Sequence, residues 1–293
     1  MSDYIIKSKE KDLGGFLIHR SLPTAKKRQL GPFVFLDHIG PVSIDEQHAM
    51  DVRPHPHIGL ATVTYFFSGR GFHRDSIGSE QLITPGDLNW MTAGRGIVHS
   101  ERTPQEDRHA SAQVNMHGVQ IWVGLPKDKE ECDPYFTHYP KEILPNLQIV
   151  DGLKVKLMIG EYGSVKSPVT CASRTLFMDI LSEKNLKTKL SFNEVEVGLF
   201  LVAGKAVVND QEMIVDDLMV LTDPSNAEIQ FEKGTRFVVI GGDPFLEERF
   251  MWWNFVSSSK ERLRKAALDW QAQKFGQVPG EAEWIPLPEG PLP

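Results

Sequence analysis

Two pairs of metal-binding residue types are the feature of this sequence with the clearest chemical potential. His55 and His57 are separated by one residue, and so are His99 and Glu101. Side chains two residues apart in a β-strand point to the same face, so each pair can direct two ligand groups at one point. Two neighbouring strands with these pairs would supply three imidazoles and one carboxylate. Such a donor set suits Fe(II), and it also accepts Ni, Co, Mn, Cu or Zn.

The remaining histidines are concentrated in the same half of the chain. The sequence has 10 histidines, and eight of them fall between residues 38 and 117. Two of these, together with Arg53, could supply polar contacts near the ligands: His38 and His48. We interpret three others as structural or surface residues: His73, His109 and His117. Any imidazole chemistry is therefore expected in the first half.

Short apolar segments between turn residues surround the histidine pairs. Residues 61–67 read ATVTYFF before Ser-Gly-Arg-Gly, and residues 88–91 read LNWM after Pro-Gly-Asp. Short runs at regular spacing between turn signals are typical of β-sandwiches and barrels. We interpret Gly94 and Gly96 as a turn that delivers His99 to its strand.

A similar pattern recurs in the second half of the chain. Phe67-Ser-Gly69 corresponds to Val202-Ala-Gly204, and Pro85-Gly-Asp-Leu88 corresponds to Val215-Asp-Asp-Leu218. This weak internal repeat predicts an all-β fold with two β-barrels in tandem. We expect a metal-binding barrel over residues 1–135 and a barrel without metal ligands over residues 136–293. The polar segment from Pro126 to Pro145 suits a linker.

A helix is predicted over residues 258–275, within the second domain. Ser258 and Glu261 fit a capping box, because each side chain can satisfy an unpaired backbone amide of the first turn. Leu263, Ala267 and Trp270 then recur at helical spacing and form an apolar stripe. Gly276 is the predicted stop.

The composition excludes several classes of protein. The chain has 293 residues, 41% hydrophobic and 24% charged, which is typical of a soluble globular protein of two domains. It lacks an apolar run of about 18 residues and a secretory signal, so we expect neither a membrane span nor export, but a cytoplasmic location. The net charge is −7, and neither half is basic, which argues against direct nucleic-acid binding. The two cysteines form no Cys-x-x-Cys pair, so a disulfide scaffold or thiolate zinc site is not expected.

Three longer segments are distinctive: PFVFLD at 32–37, HPHIGLATVTY at 55–65 and PGDLNWMTAGRGIVHSE at 85–101. Because of these segments, the chain over residues 30–125 resembles the pirin family of the cupin superfamily. Residues 160–250 resemble a second cupin barrel that closes at GGDPF, residues 241–245. The resemblance implies a bicupin of two jelly-roll-like barrels in which only the N-terminal barrel retains a metal.

The resemblance also implies a cofactor and an activity. The cofactor would be a mononuclear non-haem iron held by His55, His57, His99 and Glu101. Some bacterial pirins are quercetin 2,3-dioxygenases, which cleave the flavonol ring with O₂ and release carbon monoxide. Eukaryotic pirins are known chiefly as redox-sensitive transcriptional co-regulators. The main hypothesis is therefore a dioxygenase of small aromatic substrates. The alternative is a non-catalytic, iron-dependent regulator that docks on a protein partner; a metabolite isomerase has no supporting motif.

The dioxygenase hypothesis assigns further roles to individual residues. Glu101 would be the catalytic residue, taking the proton of the flavonol 3-hydroxyl as a general base. Four side chains are predicted to contact the substrate: Phe35, Arg53, Met91 and Met116. Two positions depart from the family pattern, because Ala61 stands where many cupins and pirins have Glu, and Ile58 stands where Arg is frequent. The carboxylate count at the metal then depends on Glu101.

Overall fold

The computed structural model describes residues 2–12, 17–45, 49–108 and 114–293. Within these ranges the chain is mostly β-strand, which confirms the predicted all-β class, and α1 (Lys260–Gln271) follows the last strand. No helix in the described residues is long and apolar enough to cross a bilayer. The described residues do not include His48, which is predicted to supply a polar contact, or His109, which is interpreted as structural or surface.

The strands up to residue 124 alternate with short turns. In chain order they are β1 (Tyr4–Lys7), β2 (Lys9–Asp12), β3 (Leu17–Leu22), β4 (Phe33–Ser43), β5 (Asp51–His57), β6 (Leu60–Ser68), β7 (Gly71–Asp75), β8 (Glu80–Ile83), β9 (Leu88–Thr92), β10 (Ile97–Arg102) and β11 (Asn115–Gly124). A short 3₁₀ helix covers Gln105–Asp107.

The later strands repeat this organisation. They are β12 (Tyr135–Tyr139), β13 (Asn146–Leu147), β14 (Leu153–Ile159), β15 (Glu161–Tyr162), β16 (Val165–Lys166), β17 (Thr175–Ser182), β18 (Leu186–Leu190), β19 (Glu196–Ala203), β20 (Ala206–Val208), β21 (Gln211–Met213), β22 (Asp217–Leu221), β23 (Ala227–Phe231), β24 (Arg236–Gly242), β25 (Phe250–Trp252) and β26 (Phe255–Ser257). A second 3₁₀ helix covers Pro224–Asn226.

One compact unit, here called the N-terminal unit, is built around Ile39–Tyr139 and includes Asp12–Ile18 and Phe245–Pro293. Its smaller sheet has the antiparallel order β5-β10-β7-β8. Its larger sheet contains β12, β9, β6 and β11 in that order. The smaller sheet carries both predicted ligand pairs.

The other compact unit, the C-terminal unit, is built around Pro140–Pro244 and includes His19–His38 and the N-terminal segment up to Lys11. Its two sheets have the orders β1-β22-β19-β24-β17-β14-β13 and β18-β23-β20-β21. A large apolar cluster fills it, with Leu199, Phe237 and Val239 fully buried.

Both units are discontinuous in sequence, whereas the boundary predicted at residues 135 and 136 makes each domain continuous. β1 pairs with β22 in the C-terminal unit, where Tyr4 lies opposite Val220. The segment Phe245–Pro293, with α1, belongs to the N-terminal unit. A strand edge must satisfy its free backbone groups, and an apolar helix face must be buried. The partner strand of β1 lies more than two hundred residues away in the sequence, and the cluster that buries α1 includes Ile58 and Val98 as well as the adjacent Phe255.

The helix start differs from the prediction by one residue. Ser259 rather than Ser258 is the N-cap, and its Oγ accepts a hydrogen bond from the amide of Arg262 at 3.2 Å. The hydroxyl of Ser258 instead donates to Glu130 at 2.7 Å. α1 also ends before the predicted stop at Gly276. The predicted apolar stripe is confirmed, since its three members are buried: Leu263, Ala267 and Trp270.

The internal repeat is visible in two equivalent turns. In the N-terminal unit, Asp87 Oδ2 accepts a hydrogen bond from the amide of Thr84 at 3.1 Å. In the C-terminal unit, Asp217 Oδ2 accepts one from the amide of Ile214 at 3.1 Å. The strands that these turns introduce, β9 and β22, are fully buried. The same side-chain contact therefore starts the same strand in both units.

Candidate metal centre

The pairing of β5 with β10 brings three histidines to one face of the smaller sheet. His99 lies directly opposite His55, and His57 lies opposite Ile97. Residues directly opposite share a face, and so do residues two apart along a strand. One potential ligand atom from each of the three histidines lies within 4.8 Å of the others, and all three side chains are buried. The predicted convergence of the two pairs is therefore present for the three imidazoles.

A glycine turn sets the start of β10, as the sequence predicts. Gly94 has φ +50°, and a Cβ at this position would collide with the carbonyl oxygen of Cys132. The amide of Gly96 donates to the carbonyl of Ala93 at 2.9 Å and closes the turn. Because β10 begins at the next residue, this turn determines which face His99 occupies.

Backbone carbonyls orient two of the rings. His55 Nδ1 lies 2.9 Å from the carbonyl oxygen of Arg53, and His57 Nδ1 lies 3.1 Å from that of Asn254. A carbonyl only accepts, so Nδ1 carries the hydrogen in both rings and a neutral ring keeps a free lone pair on Nε2. Burial lowers the pKa of His55 to about 4. Burial, with His55 nearby, holds the pKa of His57 well below its usual value.

The spacing of the nitrogens fits a metal ion. His57 Nε2 and His99 Nε2 lie 3.1 Å apart. Two nitrogens that are each about 2.1 Å from one ion, at a right angle, lie about 3 Å from each other. Burial also holds the pKa of His99 well below its usual value, so this ring is neutral as well. Three neutral, buried imidazoles are a donor set for a first-row divalent metal.

Glu101 follows His99 by two residues on β10. It is opposite His73 on β7, whereas on the β5 side the register shifts and Glu101 opposes Val52. The shift places a β-bulge beside the ligands, which bends the strand locally. Among the described residues, the group of mutually close ligand atoms contains the three histidines and not Glu101. Its predicted role as fourth ligand stays a prediction.

The carboxylate of Glu101 is held by the facing sheet. Its Oε1 lies 2.9 Å from the hydroxyl of Thr64, and the amide of Gln120 donates to Oε2 at 3.5 Å. Thr64 and Gln120 are directly opposite on β6 and β11. Burial raises the pKa of Glu101. A buried carboxylate with a raised pKa is suited to accept and return a proton.

The predicted substrate residues are spread over the chain. Met91 lies opposite Thr62, on the face of the larger sheet that carries Thr64. Met116 is buried in a different apolar cluster, while Arg53 is exposed and offers its carbonyl to His55. Phe35 belongs to the C-terminal unit, where the guanidinium of Arg20 lies 4.2 Å from its ring centroid. Met91 therefore shares a face with Thr64, and Met116 packs in a cluster with Phe66.

Trp122 contacts the histidine cluster directly. It lies opposite Thr62, and its ring packs edge-on against His57 with centroids 5.0 Å apart.

His38 lies in the C-terminal unit, where its Nδ1 is 2.6 Å from Asp216 Oδ1. The ring of His117 packs on Phe67 with centroids 4.9 Å apart.

The two departures from the family pattern have structural explanations. Ala61 alternates with Thr62 along β6 and so lies on the face of the strand away from Thr64. A glutamate at this position would not point toward Glu101. Ile58 is completely buried and packs against Phe255 in the cluster that α1 joins. Both positions serve packing in this protein.

His73 and Asp75 are functional candidates that the sequence analysis missed. His73 Nδ1 lies 3.4 Å from His99 Nδ1, and His73 Nε2 lies 3.0 Å from Asp75 Oδ2. Both side chains are buried. The sequence pattern that could have identified them is a third pair at two-residue spacing, since His73 and Asp75 are spaced like His99 and Glu101. His73, interpreted as structural or surface, therefore contacts the candidate centre.

The chain is similar to known proteins over nearly its whole length. Residues 15–123 match the family described as pirin, and residues 177–276 match the pirin C-terminal cupin domain. A pirin-like protein of Caulobacter vibrioides is 40% identical, with 99% of this chain and 100% of the relative covered. The crystal structure of a quercetin 2,3-dioxygenase from Acinetobacter baumannii is 36% identical and superposes with a TM-score of 0.92, covering 99% of this chain and 96% of that one. Human pirin is 27% identical, with 92% of each chain covered.

Proposed function

We propose that this member of the pirin family is a metal-dependent dioxygenase that opens quercetin-like flavonols with O₂. The observation that carries the proposal is the cluster of three buried imidazoles, with the buried carboxylate of Glu101 two residues after His99 on the same strand. The similarity to a quercetin 2,3-dioxygenase over 99% of this chain supports the choice of substrate class.

The proposed ligands are His55, His57 and His99 through Nε2, with Glu101 as the carboxylate ligand. We assign Fe(II) as the metal, and Ni, Co, Mn, Cu or Zn fit the same donor types. When bound, the ion would supply Lewis acidity toward the 3-hydroxyl and 4-carbonyl oxygens of a flavonol.

Glu101 is the proposed general base. When Glu101 is released from the metal, its carboxylate takes the proton of the flavonol 3-hydroxyl, which leaves an electron-rich flavonolate to react with O₂. Burial raises the pKa of Glu101 and so strengthens it as a base. The hydroxyl of Thr64, 2.9 Å away, fixes the position of the carboxylate. The flavonol and one O₂ become a ring-opened ester and carbon monoxide.

A buried donor near Glu101 supports a hydroxylated substrate. Asn89 lies opposite Thr64, and its Oδ1 accepts a hydrogen bond from His138 Nδ1 at 2.7 Å. In this orientation of the amide, Asn89 Nδ2 is buried without a hydrogen-bond partner among the described residues. A buried donor without a partner costs about 1–3 kcal/mol. A substrate oxygen would satisfy it, while Met91 and Trp122 supply apolar contacts on the same face.

The test is oxygen uptake by iron-loaded protein. Purified protein is loaded with Fe(II) without oxygen, and uptake is followed after adding quercetin and O₂. We expect uptake by the wild type and by a His117→Ala control, but none by His99→Ala. Absence of uptake with iron bound would contradict the flavonol proposal. That result would favour the alternative of a non-catalytic, iron-dependent regulator that docks on a protein partner.

We place this activity in the cytoplasm. Cys132 and Cys171 are both free thiols. Burial raises the pKa of Cys132, and it raises that of Cys171 to about 12. Protonated thiols are poor nucleophiles, and unpaired cysteines suit a reducing compartment. Detection of the protein in an exported fraction would contradict this placement.

A further inference from the structure

We propose that the outer face of the smaller sheet carries a second ligand site, in which Arg74 binds the carboxylate of a planar aromatic acid. The site is a cavity of about 630 Å³ whose lining residues all belong to the N-terminal unit. It lies on the other side of the sheet from the histidine cluster, so it depends neither on the metal nor on the proposed function.

The pairing of three strands places the cavity on this outer face. On β7, Phe72 and Arg74 flank His73, whose ring contacts the histidine cluster, so these two side chains point to the other face. Leu82 on β8 and Arg102 on β10 are both directly opposite Phe72 and share its face. The cavity is lined by the outward residues of this set: Phe72, Arg74, Leu82 and Arg102.

Arg74 is the arginine of the cavity that is not committed to a structural partner. Its side chain is 34% exposed, and its buried Nε has no hydrogen-bond partner among the described residues. This nitrogen lies 3.5 Å from Oε1 of the exposed Glu80, and an exposed ion pair at that separation is weak. The guanidinium carbon is 4.8 Å from the centroid of the Phe72 ring. The charge of Arg74 therefore sits beside an aromatic surface and is available to a ligand.

The other two arginines of the lining are already paired with carboxylates. Arg108 donates two hydrogen bonds to Asp51, each at 2.6 Å. Arg102 donates to both carboxylate oxygens of Glu281, at 3.2 and 2.6 Å, and to Glu283 at 2.9 Å. These pairs neutralise three of the acidic side chains that line the cavity.

Glu281 shows that a carboxylate is stable in these surroundings. Its side chain is only 8% exposed. The hydrogen bond from Arg102 is the main cause that lowers the pKa of Glu281, and the positive charge of Arg74 contributes. The remaining carboxylate of the lining, Glu106, is paired with Arg70 at 3.4 Å. The charges around Arg74 therefore favour a further carboxylate.

The chemistry of the lining selects the class of ligand. A guanidinium is a planar fork that can pair with both oxygens of a carboxylate. Phe72 and Leu82 add apolar surface beside it, and an aromatic ring favours stacked or edge-to-face contact with another ring. The cavity volume falls within the range of about 300–1,000 Å³ that is usual for small-molecule sites. An aromatic acid uses both the charge and the apolar surface, whereas inorganic phosphate uses only the charge.

The test is calorimetric titration of the whole chain with 2-naphthoate. We expect Arg74→Gln to weaken binding about 10- to 100-fold, because a hydrogen-bonded charge pair is lost. Phe72→Leu should weaken it about 2- to 10-fold through loss of the ring contact, and it keeps the inference testable if Arg74→Gln does not fold. Arg95→Gln is the matched control, because Arg95 is an exposed arginine of the same unit that pairs with Asp133 outside the cavity.

Two further comparisons locate the site and define its ligand. His99→Ala alters the histidine cluster on the other face, and we expect it to bind 2-naphthoate as the wild type does. The uncharged analogue 2-naphthamide and inorganic phosphate should both bind about 10-fold more weakly, or less.

Three results would overturn the inference. They are absence of 2-naphthoate binding by the wild type at millimolar concentration, wild-type affinity in both Arg74→Gln and Phe72→Leu, and loss of binding in His99→Ala alone. Phosphate binding as tight as that of 2-naphthoate would overturn the assignment to aromatic acids. Quercetin oxidation enters none of these measurements, so failure of the proposed function would leave this site standing.

Discussion

Asn254 orients His57 through a hydrogen bond that joins residues 197 positions apart in the chain, with 3.1 Å between the carbonyl oxygen and Nδ1. Asn254 lies in the turn between β25 and β26. Because this carbonyl accepts the hydrogen on Nδ1, a neutral His57 has no hydrogen on Nε2, which lies 3.1 Å from His99 Nε2. The geometry of the metal centre therefore depends on the C-terminal hairpin as well as on the strands that carry the ligands.

Replacing His99 by Ala should remove most of the bound metal and leave the protein folded. The substitution deletes one of three clustered imidazoles but keeps the backbone pairing of β10 with β5 and β7. Metal content per protein and thermal unfolding are measured on the same sample. Stoichiometric metal in the variant would contradict the ligand assignment.

Glu101→Gln should lower the turnover number for quercetin about 10²- to 10⁴-fold, the range for loss of a general base. Gln keeps the size and the acceptor oxygen that faces Thr64, so the fold should be retained. Oxygen uptake at saturating quercetin and metal content are measured together. A normal turnover number would exclude Glu101 as the base.

Glu130→Gln is the matched control for that variant. Glu130 is also buried in the N-terminal unit, but it accepts hydrogen bonds from Ser258 near the start of α1. Its replacement should lower the free energy of unfolding and leave turnover per bound metal unchanged. Equal losses of turnover in both variants would point to a general structural effect.

Gly59→Ala should destabilise the protein much more than Gly78→Ala. Both glycines have positive φ, +68° and +92°, at which an L-residue costs about 1–2 kcal/mol. A Cβ at residue 59 would in addition collide with the carbonyl oxygen of Val256, whereas nothing lies within 4 Å of one at residue 78. Urea unfolding of both variants measures the difference. Equal stability would show that the backbone near Val256 moves freely.

The metal-free protein should lose stability as the pH falls from about 6.5 toward 4. Burial lowers the pKa of His55 to about 4, so in this range the unfolded chain binds a proton that the folded chain does not. The free energy of unfolding then decreases as the pH decreases, by about 3 kcal/mol for this residue. Urea unfolding after metal removal measures the free energy of unfolding at each pH. His55→Gln should make the dependence less steep, while His57 and His99 maintain the remainder. A flat wild-type profile would contradict a buried, neutral His55.

Local spacing in the sequence was sufficient to locate the histidine cluster. His55, His57 and His99 were found because alternation in a strand has a period of two residues, and the glycine turn before β10 sets the register of that strand. The same reasoning found the repeated turns at Asp87 and Asp217. These features depend on neighbouring residues, so they can be recognised without knowledge of distant contacts.

The tertiary structure alone decided which distant segments complete each unit and orient the ligands. β1 completes the sheet that contains β22, and the segment carrying Asn254 and α1 joins the N-terminal unit. His73 and Asp75 became relevant only when β7 paired with β10 and placed Asp75 opposite His99. Such contacts bury apolar faces and satisfy strand edges across long sequence separations, and no local pattern specifies the partner.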